Sequence, residues 1–146
     1  MKRIQGVVVI TALSLLFVAA GCGGGSSSSS GDEGSEETST TIMGTQVQSH
    51  GVKDVSNESE KVEVELDDNY FEPTTIKGTP GQQIRLQLEN EGGAEHNFSL
   101  DEQGIDQDVD VGQDGEVDVT IPDSGELEFY CKYHRDIGMT GKLEAA

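Results

Sequence analysis

The chain has 146 residues and a formal net charge of -19, from 28 acidic and 9 basic residues. That length supports one domain and a tail rather than two ordinary domains, and a core of sandwich size needs no disulfide staples. So large an excess of carboxylates excludes nucleic acid as a partner, because phosphate binding needs clustered Lys and Arg; it favours solubility and long-range attraction to cationic partners instead.

Residues 1–21 read as a secretory signal peptide. Lys2 and Arg3 are followed by an apolar run over residues 7–18 and then by Ala19-Ala20-Gly21-Cys22. A basic start, a short apolar stretch and small residues at the exit are the marks of an export signal, and the run is shorter than the ~20 residues that a spanning helix needs. Its ending resembles a bacterial lipobox, with Ala19 where that pattern usually has Leu. The resemblance implies that Cys22 is lipidated and becomes the first residue of a mature lipoprotein, anchored to the outer face of the bacterial cytoplasmic membrane. Residues 22–60 then read as a disordered tether. A glycine run at 23–25, serines at 26–30 and an acidic, Ser/Thr-rich stretch to about Thr41 cannot bury a core. A flexible segment of roughly twenty to thirty-five residues reaches about 25 to 35 Å. Within it, residues 42–60 carry scattered Ile42, Val47 and Val52 and either pack on the domain or stay loose. His50, in this polar lead-in, reads as solvated.

From Lys61 onward, period-two alternation sets in, the signature of half-buried strands. Val62, Val64 and Leu66 alternate with acids, as do Ile84, Leu86 and Leu88 with polar residues, and Val117, Val119 and Ile121 with Glu116, Asp118 and Thr120. Turn residues lie between them at Glu72-Pro73-Thr74, Gly78-Thr79-Pro80-Gly81, Glu91-Gly92-Gly93 and Pro122-Asp123-Ser124-Gly125. The pattern predicts an all-β domain over residues 61–146, a small antiparallel β-sandwich or barrel. Asp106, Asp108, Asp110 and Asp114 imitate the start of a calcium loop, but Val111 and Val117 stand where such a loop needs Gly and Glu. A solvated strand face is the better reading.

The chemistry concentrates near the C-terminus, in Phe129-Tyr130-Cys131-Lys132-Tyr133-His134-Arg135-Asp136-Ile137-Gly138-Met139. The spacing C-x-x-H-x-x-x-x-M, with His96 elsewhere in the domain, offers one metal a thiolate, two imidazoles and a thioether. That mix of donors suits copper. Strand parity agrees, since Cys131 shares a face with Leu127 and Phe129, and His96 with Phe98 and Leu100. Gly138 lets the chain turn back so that Met139 can reach the same metal. Two cysteines could instead form a disulfide, but Cys22 follows the targeting segment and Cys131 lies in the ligand loop.

The loop, together with His96-Asn97 and Tyr70-Phe71-Glu72-Pro73, resembles the cupredoxins, close in loop length to plastocyanin and pseudoazurin, over residues 61–146. The resemblance implies a Greek-key antiparallel β-sandwich or barrel and a single type 1 (blue) copper held by His96, Cys131, His134 and Met139. It implies that Asn97 stitches the two ligand loops together, and that His134 is the electron port. Tyr133 occupies the slot where those relatives carry Pro, which puts loop rigidity in question. The expectation is a membrane-tethered electron-transport protein, not an enzyme, acting as a monomer with redox proteins such as a c-type cytochrome or a membrane oxidoreductase. Lys132 and Arg135 lead us to expect a rim around His134 less negative than the body. An extracytoplasmic copper delivery or storage protein is the alternative, and a metal-free scaffold sandwich leaves the Cys/His/Met spacing unexplained.

Overall fold

The computed structural model describes residues 38–57 and 61–146. The export segment, Cys22 and the first part of the tether lie outside the described residues. The elements are β1 (Ser39–Ile42), β2 (Thr45–Gln48), β3 (Val52–Asp54), β4 (Val62–Asp67), β5 (Tyr70–Glu72), β6 (Thr75–Gly78), β7 (Gln83–Asn90), β8 (His96–Leu100), β9 (Ile105–Val109), β10 (Asp114–Thr120), β11 (Glu126–Tyr130) and β12 (Thr140–Ala145). Single 3₁₀ turns at Asp101–Gln103 and Arg135–Ile137 interrupt the strands. Among the described residues no helix is long and apolar enough to cross a membrane.

The strands form two larger sheets, β10-β7-β4-β5 and β3-β6-β12-β11-β8-β9, beside the two-stranded β1-β2 hairpin. The inward halves of the alternating strands meet between them. Val62, Val64 and Leu66 of β4 and Leu86 and Leu88 of β7 are buried against Phe98, Leu100, Phe129 and Leu143 of the other sheet. At the centre Phe98 and Phe129 stack at 4.8 Å, and Phe71 meets Phe129 edge-on at 5.1 Å. Aromatic rings favour such offset and edge-to-face contacts. The register pairs Gly141 with Phe129 across β11 and β12, and a Cβ at 141 would collide with the Phe129 ring. Glycine makes room there for the aromatic cluster.

The all-β sandwich expected from the alternation is what forms, but its pairing is mixed rather than purely antiparallel. β4–β7, β6–β12 and β3–β6 are parallel. The chain crosses from one sheet to the other between β5 and β6 and returns before β7. Such a crossover lets the next strand in a sheet run parallel to its neighbour. The folded body also begins earlier than Lys61. β3 pairs with β6, the Val55 N–H donates to the Lys77 carbonyl at 2.7 Å, and Val55 is fully buried in the core. Before it, β1 and β2 form a hairpin turning at Met43 and Gly44, both at positive φ (46° and 85°). Positive φ at both central residues gives the turn a twist that matches the flanking strands. Ile42 is buried, and the Met43 N–H donates to Glu126 Oε1 at 2.9 Å. His50 is not simply solvated either: its ring stacks on Tyr70 at 3.6 Å and 9°.

Candidate metal centre

Two neighbouring strands bring the donors to one end of the sandwich. β8 begins at His96, and β11 ends at Tyr130, one residue before Cys131. The two strands are antiparallel and pair only at Tyr130 and Ser99, so the start of one and the end of the other lie side by side. Period-two alternation turns His96, Phe98 and Leu100 toward the core with Phe129 and Cys131, and all five are fully buried. Past Cys131 the loop closes on itself. The His134 N–H donates to the Cys131 carbonyl, the Met139 N–H to the His134 carbonyl and the Cys131 N–H to the Met139 carbonyl, each at 3.1 Å. Gly138, at a φ of 103°, allows the reversal that begins β12.

The resulting cluster is tight. Cys131 Sγ lies 3.5 Å from His134 Nδ1 and 4.0 Å from His96 Nδ1, and the two Nδ1 atoms are 3.2 Å apart. Among the described residues, these three are the His/Cys/Asp/Glu group whose donor atoms converge within 4.8 Å. Two nitrogens about 2.0 Å and a sulfur about 2.3 Å from one ion stand about 3.3 to 3.7 Å apart at trigonal or tetrahedral angles. The observed 3.2, 3.5 and 4.0 Å straddle that range, so the three donors lie about one ion's width apart. The softness of the donors favours copper over a hard cation. Met139, the fourth residue expected from the sequence, is fully buried and bound at its backbone to both Cys131 and His134.

The electrostatics keep the His96 imidazole available. Burial pushes the His96 pKa down, and the neighbouring His134 adds to that. A neutral imidazole is the form that ligates a metal. His96 Nε2, on the far side of the ring, is buried without a hydrogen-bond partner and rests against Gly92, where a Cβ would come within 2.6 Å of it. His134 is partly exposed beside two exposed apolar side chains, Tyr133 and Ile137.

Asn97 is fully buried although it points away from the core. Its Oδ1 accepts from the Lys132 N–H at 3.3 Å and from Ser99 Oγ at 2.5 Å, and its Nδ2 donates to Asp106 and Asp108 at 2.8 and 2.9 Å. Sequence reasoning missed these two aspartates as part of the site. Their alternation with Val109 spoke only of a strand face, and their partners are set by the β8–β9 register. The two loop cations beside His134 are engaged. Lys132 is bridged to Asp106 and Asp108 at 2.9 and 2.7 Å, and Arg135 to Glu128 at 2.6 Å. Both loop cations are thus paired with carboxylates rather than standing free on the rim.

The sequence profile of the cupredoxin-like domain matches residues 38–144, and the chain belongs to that family. Over 85 residues, half of this chain, it is 33% identical to plastocyanin of Lactuca sativa, covering 84% of that protein. It is 32% identical over 85 residues to the chloroplastic plastocyanin B of Populus nigra, of which it spans about half the length (49%). In fold it is similar to the metal-binding domain of the Streptococcus pneumoniae D39 Cu(I)-exporting P-type ATPase CopA, solved with Cu(I), at a TM-score of 0.54 and 16% identity, over 66% of this chain and 97% of that one. Membership of this family implies one copper ion, and the donor set described above fits it.

Proposed function

We propose that the chain is a membrane-tethered type 1 blue-copper electron carrier. His96, Cys131 and His134 are its principal ligands, Met139 is a fourth, weak donor, and Cys22 is the lipidated anchor. The convergence of two imidazole nitrogens and a thiol at a buried strand end carries this reading. Copper bound there supplies one-electron chemistry by alternating between two oxidation states. The chain's own contribution is to hold the donors in place through strand ladders and loop hydrogen bonds, and to keep water away from Cys131 and His96. With four protein donors, no coordination position is left for a substrate, which favours a carrier over an enzyme. Partly exposed His134, beside Tyr133 and Ile137, is the electron port. The surrounding carboxylates favour a basic redox partner such as a c-type cytochrome.

The absorption spectrum of the full chain with copper(II) tests this assignment. A thiolate ligand gives an intense blue or blue-green band that Cys131→Ser abolishes, whereas a colourless wild-type complex refutes the ligand set. Electron transfer to a basic cytochrome should slow with added salt, because screening cuts attraction beyond about 10 Å. Copper should stay bound through repeated redox cycles. Release of reduced copper to a modest chelator, with no redox partner reacting, favours the delivery reading instead. Acyl chains on Cys22, detected by mass spectrometry of membrane-derived protein, test the anchor.

A further inference from the structure

Neither Lys132 nor Tyr133, the two residues between Cys131 and His134, has the ring-fixed φ of a proline. What restrains this stretch reaches it from β9. The register sets Asn97 opposite Asp108 and Ser99 opposite Asp106, so all four side chains stand on the face of the sheet away from the core. Lys132 lies over them. Asn97 uses both N–H bonds of its amide on the two carboxylates and accepts the Lys132 backbone N–H with its oxygen. The Lys132 ammonium bridges the same carboxylates. The Tyr133 hydroxyl, with one proton to donate, lies 3.2 Å from both Asp108 Oδ1 and Glu95 Oε1.

We propose that Asp106 and Asp108 are positioning residues for the metal loop: acting through Asn97 and Lys132, they lock the backbone between Cys131 and His134 before any metal arrives. The proposal rests on the assignment of Cys131 and His134 as ligands. Three features of the geometry support it. First, the Asn97 amide must present its oxygen to the loop, and two acceptors on β9 dictate that orientation, since only its N–H face can satisfy them. Second, two carboxylates two residues apart on one strand face repel each other unless a cation lies between them, and the loop supplies that cation. Releasing Lys132 therefore leaves both acids uncompensated. Third, both acids and Lys132 retain substantial exposure, with side-chain values of 65%, 48% and 32%. Exposed ion pairs contribute little to global stability, so the pair acts on loop geometry far more than on whether the domain folds.

Amide hydrogen exchange on the full chain without metal tests the clamp directly. In Asp106→Ala/Asp108→Ala, the Lys132 and His134 amides should exchange about tenfold faster or more, while those of β7 keep their wild-type rates, as expected for a local opening. The isosteric pair Asp106→Asn/Asp108→Asn keeps oxygen acceptors for Asn97 but loses the charge that holds Lys132, and should fall between. With copper(II) added, the alanine pair should show a shifted or weakened charge-transfer band, and the asparagine pair should recover most of it. Loop exchange within about twofold of wild type would overturn the proposal, as would acceleration spread equally over β7, the sign of a general loss of stability. If no form is coloured, wild type included, the copper assignment falls alone, and the clamp is still decided by exchange.

Discussion

Replacing Gly92 with alanine should act on the candidate metal centre from behind, through the His96 ring nitrogen that faces away from Cys131. A Cβ at this position would lie 2.6 Å from His96 Nε2, 3.1 Å from Asp68 Oδ1 and 3.2 Å from the Asp67 carbonyl carbon. Ordinary contacts between such atoms are about 3.5 Å or more, so His96 must give way by nearly an ångström or the backbone must. The backbone is held. The Gly92 N–H is shared between Asn90 Oδ1 at 3.0 Å and the Leu66 carbonyl at 3.2 Å, and buried Asn90 is itself bonded to the Ala94 and Val109 carbonyls. The imidazole should therefore move, toward Cys131 and His134. Overpacking of this kind costs about 1 to 3 kcal/mol, which lowers the melting midpoint of a body this size by about 5 to 12 °C. Disturbing the support of a ligand weakens metal binding by about 10- to 100-fold. Competition titration with a copper chelator, the visible spectrum and melting of the metal-free protein measure these effects. Gly92→Ala with wild-type copper affinity and an unchanged band would refute the argument that Gly92 sets the position of His96.

Gly141→Ala should destabilise by about 2 kcal/mol or more, because its methyl group collides with Phe129 and lies 2.8 Å from the Thr74 carbonyl oxygen; chemical denaturation measures the loss, and a wild-type midpoint would contradict it. Glu65→Gln should stabilise at neutral pH by about 0.5 kcal/mol, since Glu65 faces Glu72 on one side and Glu89 on the other. Burial, and after it the charges of Glu72, Glu63, Glu91 and Asp67, raise its pKa, so the folded state disfavours the ionised form and the gain should vanish below pH 4, where the acids are protonated. The Lys142 ammonium is bonded to Glu126 and Glu144 and holds both carboxyls below their usual range, with Lys77 adding to the effect on Glu144. That stabilisation is present above the ordinary glutamate pKa of about 4.3 and is lost as pH falls through the depressed values. Lys142→Met should therefore melt earlier than wild type at pH 7, and the gap should narrow by pH 3; a gap independent of pH would show that packing, not charge, sets the effect.

The alternating segments made β4, β7, β10 and β11 legible in the sequence, because an inward residue at every second position states both the element and the buried face. The same parity placed His96 and Cys131 inward. The N-terminal part of the body was harder to read. In β1 and β2 short β-branched residues are mixed with glutamine, and all three residues of β3 are exposed; an edge strand that buries so little leaves no hydrophobic period. Its parallel pairing with β6 depends on a register that no local pattern encodes. The loop cations show the same limit. Lys132 and Arg135 are visible as charges, but Asp106, 26 positions away from Lys132, is its partner only because β8 carries β9 alongside the loop.

The position of the candidate site follows from where the sheet comes apart. β11 and β8 share a single residue pair, Tyr130 with Ser99, whereas β11 stays paired with β12 over five. Beyond Tyr130 the strands diverge, and backbone groups that a ladder would have satisfied need other partners. Asn97 is one of them: its side-chain oxygen takes the Lys132 N–H at the point where pairing to β8 has ended. The opening thus created is lined by the core-facing residues of both strands, His96 and Cys131, with His134 folded over it by the loop's own hydrogen bonds. Ladder, side-chain amide and loop turns each hold a donor-bearing segment, so the fold itself gathers the donors. A site fixed in this way resists the rearrangement that a change of oxidation state would otherwise demand, the property that a one-electron carrier needs and a metal courier does not.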